Sequence, residues 1–463
     1  MIKIKMPEGA AYIIEELNKY GFEAFIVGGC VRDALLGKKP SDWDITTSAK
    51  PEDIKRIFRH TVDTGILHGT VTVLIYGSKV SGKNGKNHES FEVTTYRVDG
   101  AYTDHRRPDK VTFTDRLVED LKRRDFTINA MAYNDESGLV DIFDGQGCLE
   151  NRVIACVGNA KDRFDEDALR ILRAIRFSAQ LGFDIEEKTL EAMKKQSALL
   201  REISAERIQA ELTKLITSNN PDRLITAYEL GITKIILPEF DAMMNTEQNN
   251  PYHLYNVGVH TVKAMENIAP VPALRYTALL HDVGKPYTKK TGPDGVDHFY
   301  GHQEVSEKKA REILRRLKLD NNTVDKTCRL VLNHDYGIHG QLNEKSVRRF
   351  ISRLGADNFE DFISIRKADM AGQSDYKLEE RQADIVFMTD VYNKIKENEQ
   401  CISLSDMKLS GRDLIEMGVS QGKEIGVVLR ELFERVLDTP ELNDHEKLKE
   451  MAEKILSEKT TNE

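Results

Sequence analysis

Residues 23–33 read Glu23-Ala24-Phe25-Ile26-Val27-Gly28-Gly29-Cys30-Val31-Arg32-Asp33, and a second block closes the stretch, Asp42-Trp43-Asp44-Ile45-Thr46-Thr47. The apolar run up to Val27 reads as a strand, and Val31–Leu36 as the first turns of a helix. A Gly-Gly turn between them lets backbone N–H groups approach phosphate oxygens near a positive helix end. No Lys-Ser or Lys-Thr follows at P-loop spacing, and alone such a turn is usually just a tight turn. Asp42 and Asp44 change the reading. On a strand, residues i and i+2 share a face about 7 Å apart, and two carboxylates so placed repel unless a cation lies between them. An isolated Asp-x-Asp is more often a solvated loop edge. Here β-favouring residues follow it, and the pair comes soon after the phosphate-type turn. Two Mg²⁺ ions on such a pair would activate an attacking hydroxyl and stabilise a leaving pyrophosphate. Glu92, in the alternating stretch Phe91–Tyr96, is expected as a third carboxylate from a neighbouring strand.

Two further blocks carry guanidinium groups. Arg123-Arg124-Asp125-Phe126 either ends a helix with a satisfied ion pair or holds polyphosphate and ribose, which suits planar, permanently charged arginines. In Glu166-Asp167-Ala168-Leu169-Arg170, Asp167 and Arg170 are three apart and share a face on a helix. They form either a surface ion pair or an acceptor and donor that match the edge of cytosine or adenine. Uracil and guanine reverse both contacts, and an unpaired buried polar edge costs about 1–3 kcal/mol.

These motifs occur in order with Gly65, His68-Gly69-Thr70, Glu92–Arg97, Arg123–Ala130 and Arg173-Ala174-Ile175-Arg176-Phe177. The set resembles the class II CCA-adding tRNA nucleotidyltransferases, in the polymerase β-like superfamily shared with bacterial poly(A) polymerases. The resemblance is strong over residues 20–215 and looser beyond. It implies Asp42 and Asp44 as Mg²⁺ ligands, with Glu92 beside them. It implies Gly28, Gly29 and Arg32 at the triphosphate, and Arg123, Arg124, Asp125 and Asn129 at nucleotide and ribose. Asp167 and Arg170 would read the base, with Arg173 and Arg176 alongside. The implied partners are ATP, CTP and the tRNA 3′ end, with no DNA. Residues 97–108 resemble the family's flexible loop, which favours complete CCA addition.

Seven of the twelve histidines fall between 253 and 339. Imidazoles with carboxylates suit divalent transition metals. The apolar helical run Leu274–Leu280 leads into His281-Asp282-Val283-Gly284-Lys285, which resembles the HD metal-dependent phosphohydrolases. That resemblance implies His260, His281, Asp282 and Asp369 as ligands of a transition metal or Mg²⁺, with His302 and His334 at a second metal or at phosphate. Active, the site would act on RNA phosphate ends such as 2′,3′-cyclic or 2′-phosphates. Inactive, it would be a helical tRNA-contacting body.

Length allows two to four units among 463 residues. The expected organisation is α+β. A small mixed-sheet head spans 1–144, an all-α neck 145–215, a helical connection 216–250, an HD domain 251–380, and a helical, tRNA-binding tail 381–463. In the tail, Ser410–Leu414 and Gly418, Gly422 and Gly426 are either tRNA contacts or helix caps. Residues 79–90 read as a mobile hairpin insert, and the last dozen residues as frayed. No signal-like segment or stretch of about 18 apolar residues occurs, and five cysteines lack any C-x-x-C spacing. A cytoplasmic protein without a membrane partner is expected. The net charge of −9 would not by itself suggest RNA; any basic surface must be assembled by folding. The alternatives are a poly(A) polymerase, an HD hydrolase with a nucleotide-sensing N-terminal unit, and a non-catalytic RNA scaffold.

Overall fold

A computed structural model describes residues 3–76, 88–100, 111–337 and 342–460. The chain divides into two compact units, Met1–Pro238 and Glu239–Glu463.

The first unit is organised on one strand. Ala24–Val27 (β1) is apolar at every position and fully buried, as a strand covered on both faces must be. It pairs antiparallel with Ile45–Thr47 (β2), Ile26 opposite Ile45. Thr61–Gly65 (β3), Thr70–Tyr76 (β4) and His88–Thr95 (β5) lie beyond β2. Arg97–Asp99 (β6) and Val111–Phe113 (β7) form a separate pair. On the other side of β1 come Met131–Asn134 (β8) and Gly138–Asp141 (β9). The seven-stranded order is β3-β4-β5-β2-β1-β8-β9, with β2 and β5 parallel and therefore a mixed sheet. The helix Glu8–Lys19 buries Ile13, Ile14 and Leu17 along one stripe, the spacing of an amphipathic helix.

Asp42 and Asp44 lie just ahead of β2 rather than within it. Strand-like pairing still reaches Asp44, because the Val27 N–H donates to its carbonyl at 3.0 Å. Of the expected hairpin insert, His88 and Ser90 belong to β5, opposite Tyr76 and Leu74; residues 79–87 lie outside the described residues. The loop expected over 97–108 begins as β6, and residues 101–108 also lie outside them.

From Gly145 the unit is helical, with one interruption. Val153–Ile154 pairs in parallel with Asp184–Ile185, so the neck carries a two-residue ladder as well as helices. The long neck helix, Leu169–Leu181, ends at Gly182 with φ +69°, a left-handed C-terminal stop.

In the second unit, helices Val257–Glu266, Pro272–Leu280, His302–Arg316, Asn321–Asn333 and Phe359–Ala371 form the histidine-rich body. The C-terminal helices Lys423–Asp438 and His445–Thr460 share a core including Leu414, Val428, Leu432 and Leu448. The last helix continues through Thr460, where fraying was expected. Ser410 and Asp413 form a capping box, Gly422 caps the following helix, and Gly426 lies inside it.

Asp120 is fully buried and ties the first unit together. Its Oδ1 accepts from Arg123 Nε and Nη2 at 2.9 and 2.7 Å, and its Oδ2 from Thr46 Oγ1 at 3.1 Å. Burial works to raise its carboxyl, but Arg123 and Arg124 hold it below the ordinary value. Breaking such a buried pair costs about 3–5 kcal/mol, so Asp120→Ala should lower urea-unfolding stability on that scale at pH 7. The depressed carboxyl stabilises fully above its unfolded value of 3.8 and loses this contribution in stronger acid. Parent and variant should therefore converge as the pH falls below that value.

Candidate functional site

The first-unit site begins at the end of β1. Gly28 has φ +80°, and a Cβ there would lie 2.8 Å from Arg124 Nη1. The left-handed backbone conformation is what requires glycine. Gly29 opens the helix Gly29–Leu35, which carries Arg32. Arg32 donates through Nη1 to Asn129 Oδ1 at 2.7 Å and through Nε to Asp33 at 2.8 Å. Asn129 Nδ2 donates to Asp125 Oδ1 at 3.1 Å, and Asp125 Oδ2 accepts from Arg173 Nε at 2.8 Å. A continuous polar run thus links Arg32, Asn129, Asp125 and Arg173. Burial alone would raise the Asp125 carboxyl, but Arg173 and the Asn129 hydrogen bond hold it well below the carboxylate range. The Phe177 ring lies under three guanidinium groups, those of Arg32, Arg173 and Arg176, at 5.1, 5.4 and 3.8 Å.

The β2–β5 register, Ile45 beside Val93, carries one residue back to bring Asp44 alongside Glu92. Lost hydration raises the Asp44 carboxyl first; Glu92 and Asp42 raise it further, while Arg124 opposes them. This mutual repulsion is what a divalent cation would relieve, so the residues fit a metal. Their oxygens are not drawn into a tight cage: among the described residues, the two clusters of metal-ligand atoms within 4.8 Å of one another are both in the second unit.

The expected base readers differ from their sequence reading. Asp167 sits between two helices rather than on one with Arg170. Its Oδ1 accepts from the Leu169 N–H at 3.1 Å, and its Oδ2 accepts from Arg207 at 2.8 Å. Arg170 donates to Glu166 at 2.5 Å, to the Arg163 carbonyl at 3.1 Å and to the Arg123 carbonyl at 2.8 Å. A direct Asp167–Arg170 surface pair is therefore not what holds them. A guanidinium has five N–H donors and a carboxylate about four acceptor sites, so both retain capacity for a ligand. Arg123 is committed to Asp120. Arg176 is buried and donates to Glu211 at 2.5 Å. Arg207, Glu211 and Asp120 went unread in the sequence. Their only local signals are i,i+4 spacing for the first two and i−3 from Arg123 for the third, and neither identifies a distant partner.

The second-unit site gathers helix ends. His281 and Asp282 follow Pro272–Leu280, His302 starts its helix, His334 ends another, and His260 and Asp369 lie within theirs. Gly284 allows the close crossing: a Cβ there would meet the His302 carbonyl at 2.5 Å. His281, His302 and His334 each bond through Nδ1 to the carbonyl three residues earlier, of Ala278, Phe299 and Val331, at 2.8, 2.8 and 2.7 Å. His260 Nδ1 bonds the Gly372 carbonyl at 3.0 Å. All four Nε2 atoms are thereby turned inward, the second-shell arrangement of metal-binding imidazoles.

The inward atoms form two groups, His260, His281 and Asp369, and Asp282, His302 and His334. Asp282 joins them, Oδ2 at 3.3 Å from His281 and Oδ1 at 3.4 Å from His302. Burial would lower the His281 imidazole, yet Asp282 and Asp369 raise it to about 10; this group attracts positive charge. In the other group, burial and the neighbouring histidines push His334 down to about 4. Its Nε2 lies 3.3 Å from that of His302. A cation between them resolves that contact, so these residues fit a divalent metal.

Adding Mn²⁺ or Ni²⁺ should therefore raise the Tm of the whole protein. The gain is about 2.7 kcal/mol at 100 times Kd. His302→Ala should lose part of the gain made by the second unit, whereas Asp42→Ala should leave that part intact.

The poly A polymerase head domain family matches residues 24–155. The family described as "Probable RNA and SrmB-binding site of polymerase A" matches residues 182–244, and that described as "tRNA nucleotidyltransferase domain 2 putative" matches residues 298–452. A CCA-adding enzyme of Lactobacillus delbrueckii subsp. bulgaricus is 55% identical over 203 residues, 44% of this chain and 48% of that protein. This chain thus aligns with about half the length of that relative. A CCA-adding enzyme of Ligilactobacillus salivarius is 34% identical over 462 residues, covering 96% of both chains. The crystal structure of the Bacillus stearothermophilus CCA-adding enzyme in complex with CTP superposes with a TM-score of 0.73 at 27% identity, over 99% of this chain and 100% of that one. Full-length similarity and a shared fold agree with the motif order in the first unit: this chain belongs to the CCA-adding enzyme family.

Proposed function

We propose that the protein builds or repairs the 3′-terminal CCA of tRNA from CTP and ATP, without a nucleic-acid template. The observation that carries this reading is the polar run from Arg32 through Asn129 and Asp125 to Arg173. It adjoins Arg124, which the charge of Asp44 also reaches. The family generally uses divalent metals; here Mg²⁺ at Asp42 and Asp44, beside Glu92, would neutralise developing charge on the triphosphate. Arg32 and Arg124 bind phosphate oxygens beside the glycine turn. Asp125 and Asn129 hold the ribose side of the nucleotide and keep Arg173 in place. Asp167 accepts from the exocyclic amino group of cytosine or adenine, and Arg170 donates to the ring nitrogen beside it. The tRNA 3′-hydroxyl attacks the α-phosphorus, and pyrophosphate leaves.

The tail, residues 381–463, is read as a tRNA contact, working through shape and selected phosphates given the acidic net charge. Among the described residues no helix is long and apolar enough to cross a membrane. All five cysteines are free, which fits a reducing cytoplasm.

The histidine cage supports a second activity, hydrolysis of phosphate esters at RNA ends, with a transition metal or Mg²⁺ supplying charge to the phosphate. Water oxygen joins phosphorus, the ester P–O bond breaks, and the ribose hydroxyl departs with a proton. Lys285 Nζ, 2.7 Å from both Asp282 Oδ2 and Gln248 Oε1, holds Asp282 in its bridging position.

A tRNA transcript ending before CCA, incubated with Mg²⁺, tests the first reading. It should gain two nucleotides from CTP alone and three from CTP with ATP, read on a gel. A long tail from ATP alone would establish a poly(A) polymerase instead, and no extension would leave the cage as the main activity. Asp42→Ala should lower extension by roughly 10²-fold or more, the scale of losing one preorganised electrostatic group. Asp167→Ala should lose discrimination against UTP, seen as uridine in the product. Asp282→Ala should abolish phosphate release from adenosine 2′-monophosphate while nucleotide addition continues.

A further inference from the structure

One aromatic ring meets three charges in the first unit. Phe177 lies on the neck helix Leu169–Leu181 and is buried, and the guanidinium groups of Arg32, Arg173 and Arg176 all lie over its ring. Phe126, wholly buried, meets that ring at 5.7 Å and 80°, an edge-to-face contact that fixes its tilt. Arg32 comes from a different element, the helix that follows the glycine turn. The ring therefore joins the turn to the neck.

Two of the three guanidinium groups are matched by buried acids. Arg176 donates to Glu211 and Gln180 at 2.5 and 2.8 Å. Arg173 commits Nε and Nη2 to one oxygen of Asp125, at 2.8 and 2.5 Å. Arg32 differs. Its Nε goes to Asp33 and its Nη1 to Asn129, while Nη2 has no hydrogen-bond partner among the described residues. A Cβ placed on Gly29 would lie 3.7 Å from that nitrogen, so the uncommitted end stands beside the glycine turn.

A further carboxylate could also hold Arg32, but it would occupy N–H donors and cancel charge that a phosphate needs. An aromatic face attracts a guanidinium through its quadrupole without accepting a conventional hydrogen bond, so the donors stay available. A ring is thus the neighbour that can hold this arginine and leave it cationic. We propose that Phe177 is a positioning residue for nucleotide binding. It keeps Arg32 beside the glycine turn with Nη2 open to a phosphate oxygen, and so sets the preference for a nucleoside triphosphate over a monophosphate. The inference rests on the nucleotide-addition reading, in which Arg32 meets the triphosphate.

Equilibrium dialysis with radiolabelled CTP or CMP, in Mg²⁺ and without tRNA, reads binding without turnover. Phe177→Leu should raise Kd for CTP about tenfold and Kd for CMP about twofold at most, the scale of one partly desolvated cation–π contact. Equal losses for the two nucleotides would overturn the proposal. Leucine also alters packing, so a second series keeps the ring and drains its charge: monofluoro-, difluoro- and trifluorophenylalanine at position 177. Kd for CTP should climb with each added fluorine. Para-methylphenylalanine, bulkier than the monofluoro ring but with its face undiminished, should bind CTP as the parent does. If the methyl ring weakens CTP as much as the fluorinated ones, or fluorination changes nothing, the ring acts by packing alone and the proposal falls. A double-mutant cycle in urea needs no nucleotide: Phe177→Leu and Arg32→Met should destabilise less together than the sum of the two, and additive losses would show that the ring does not hold Arg32. If the unmodified protein binds CTP no more tightly than CMP, the triphosphate role of Arg32 fails, and the cycle still decides the contact.

Discussion

A carboxylate shut away from water keeps its charge only where cations and N–H donors surround it, and Asp125 meets that condition at the point where sheet gives way to helices. Its side chain collects Arg173, Asn129 and the Phe126 N–H. Its carbonyl accepts from the Val157 N–H at 3.1 Å, and Phe126 bridges to Cys156. Arg32 reaches the same cluster through Asn129. The buried Asp120 does the equivalent one turn earlier for Arg123, whose carbonyl in turn receives Arg170. Two buried acids therefore fix the arginine array before any ligand arrives, and the donors lose little freedom on binding.

The second unit inverts that logic. There, imidazoles join Lys285 and Arg366 around two buried acids, and imidazole is a ligand whose charge can be given up. Arginines around an acid make a permanent cationic surface suited to polyphosphate. Histidines around an acid make a site whose charge is completed by a metal. On the proposed reading, the two sites differ in how positive charge would be supplied to phosphate.

Local spacing made much of this legible. The apolar run before Gly28-Gly29 gave β1 and its turn, and the alternation at Phe91–Tyr96 placed Glu92 on the strand next to Asp44. The cage residues came from the resemblance to the HD phosphohydrolases rather than from spacing, and the fold brings their metal-ligand atoms together. What spacing could not supply was the identity of distant partners. Asp167 and Arg170 read as neighbours on one helix because three residues separate them, but extended backbone at Asp167 ends one helix before the next begins at Leu169. Arg207 and Glu166 then take the two charges separately. Arg123 and Arg176 read as ligand-facing for the same reason: an arginine's destination depends on an acid such as Asp120 or Glu211 that is contributed by another turn or another helix. The ladder between Val153–Ile154 and Asp184–Ile185 was similarly hidden, since two residues are too few to show alternation.

Three of the four cage imidazoles are oriented by carbonyls only three residues behind them. Their aim is thus written into four-residue stretches of chain and does not wait on contacts between remote segments. Helices can shift by small amounts during drift in sequence, and each ring still travels with its own sighting point. A centre assembled this way is portable: its ligands keep their bearing while the scaffold around them is rebuilt, leaving the surrounding cavity open to change in what it admits.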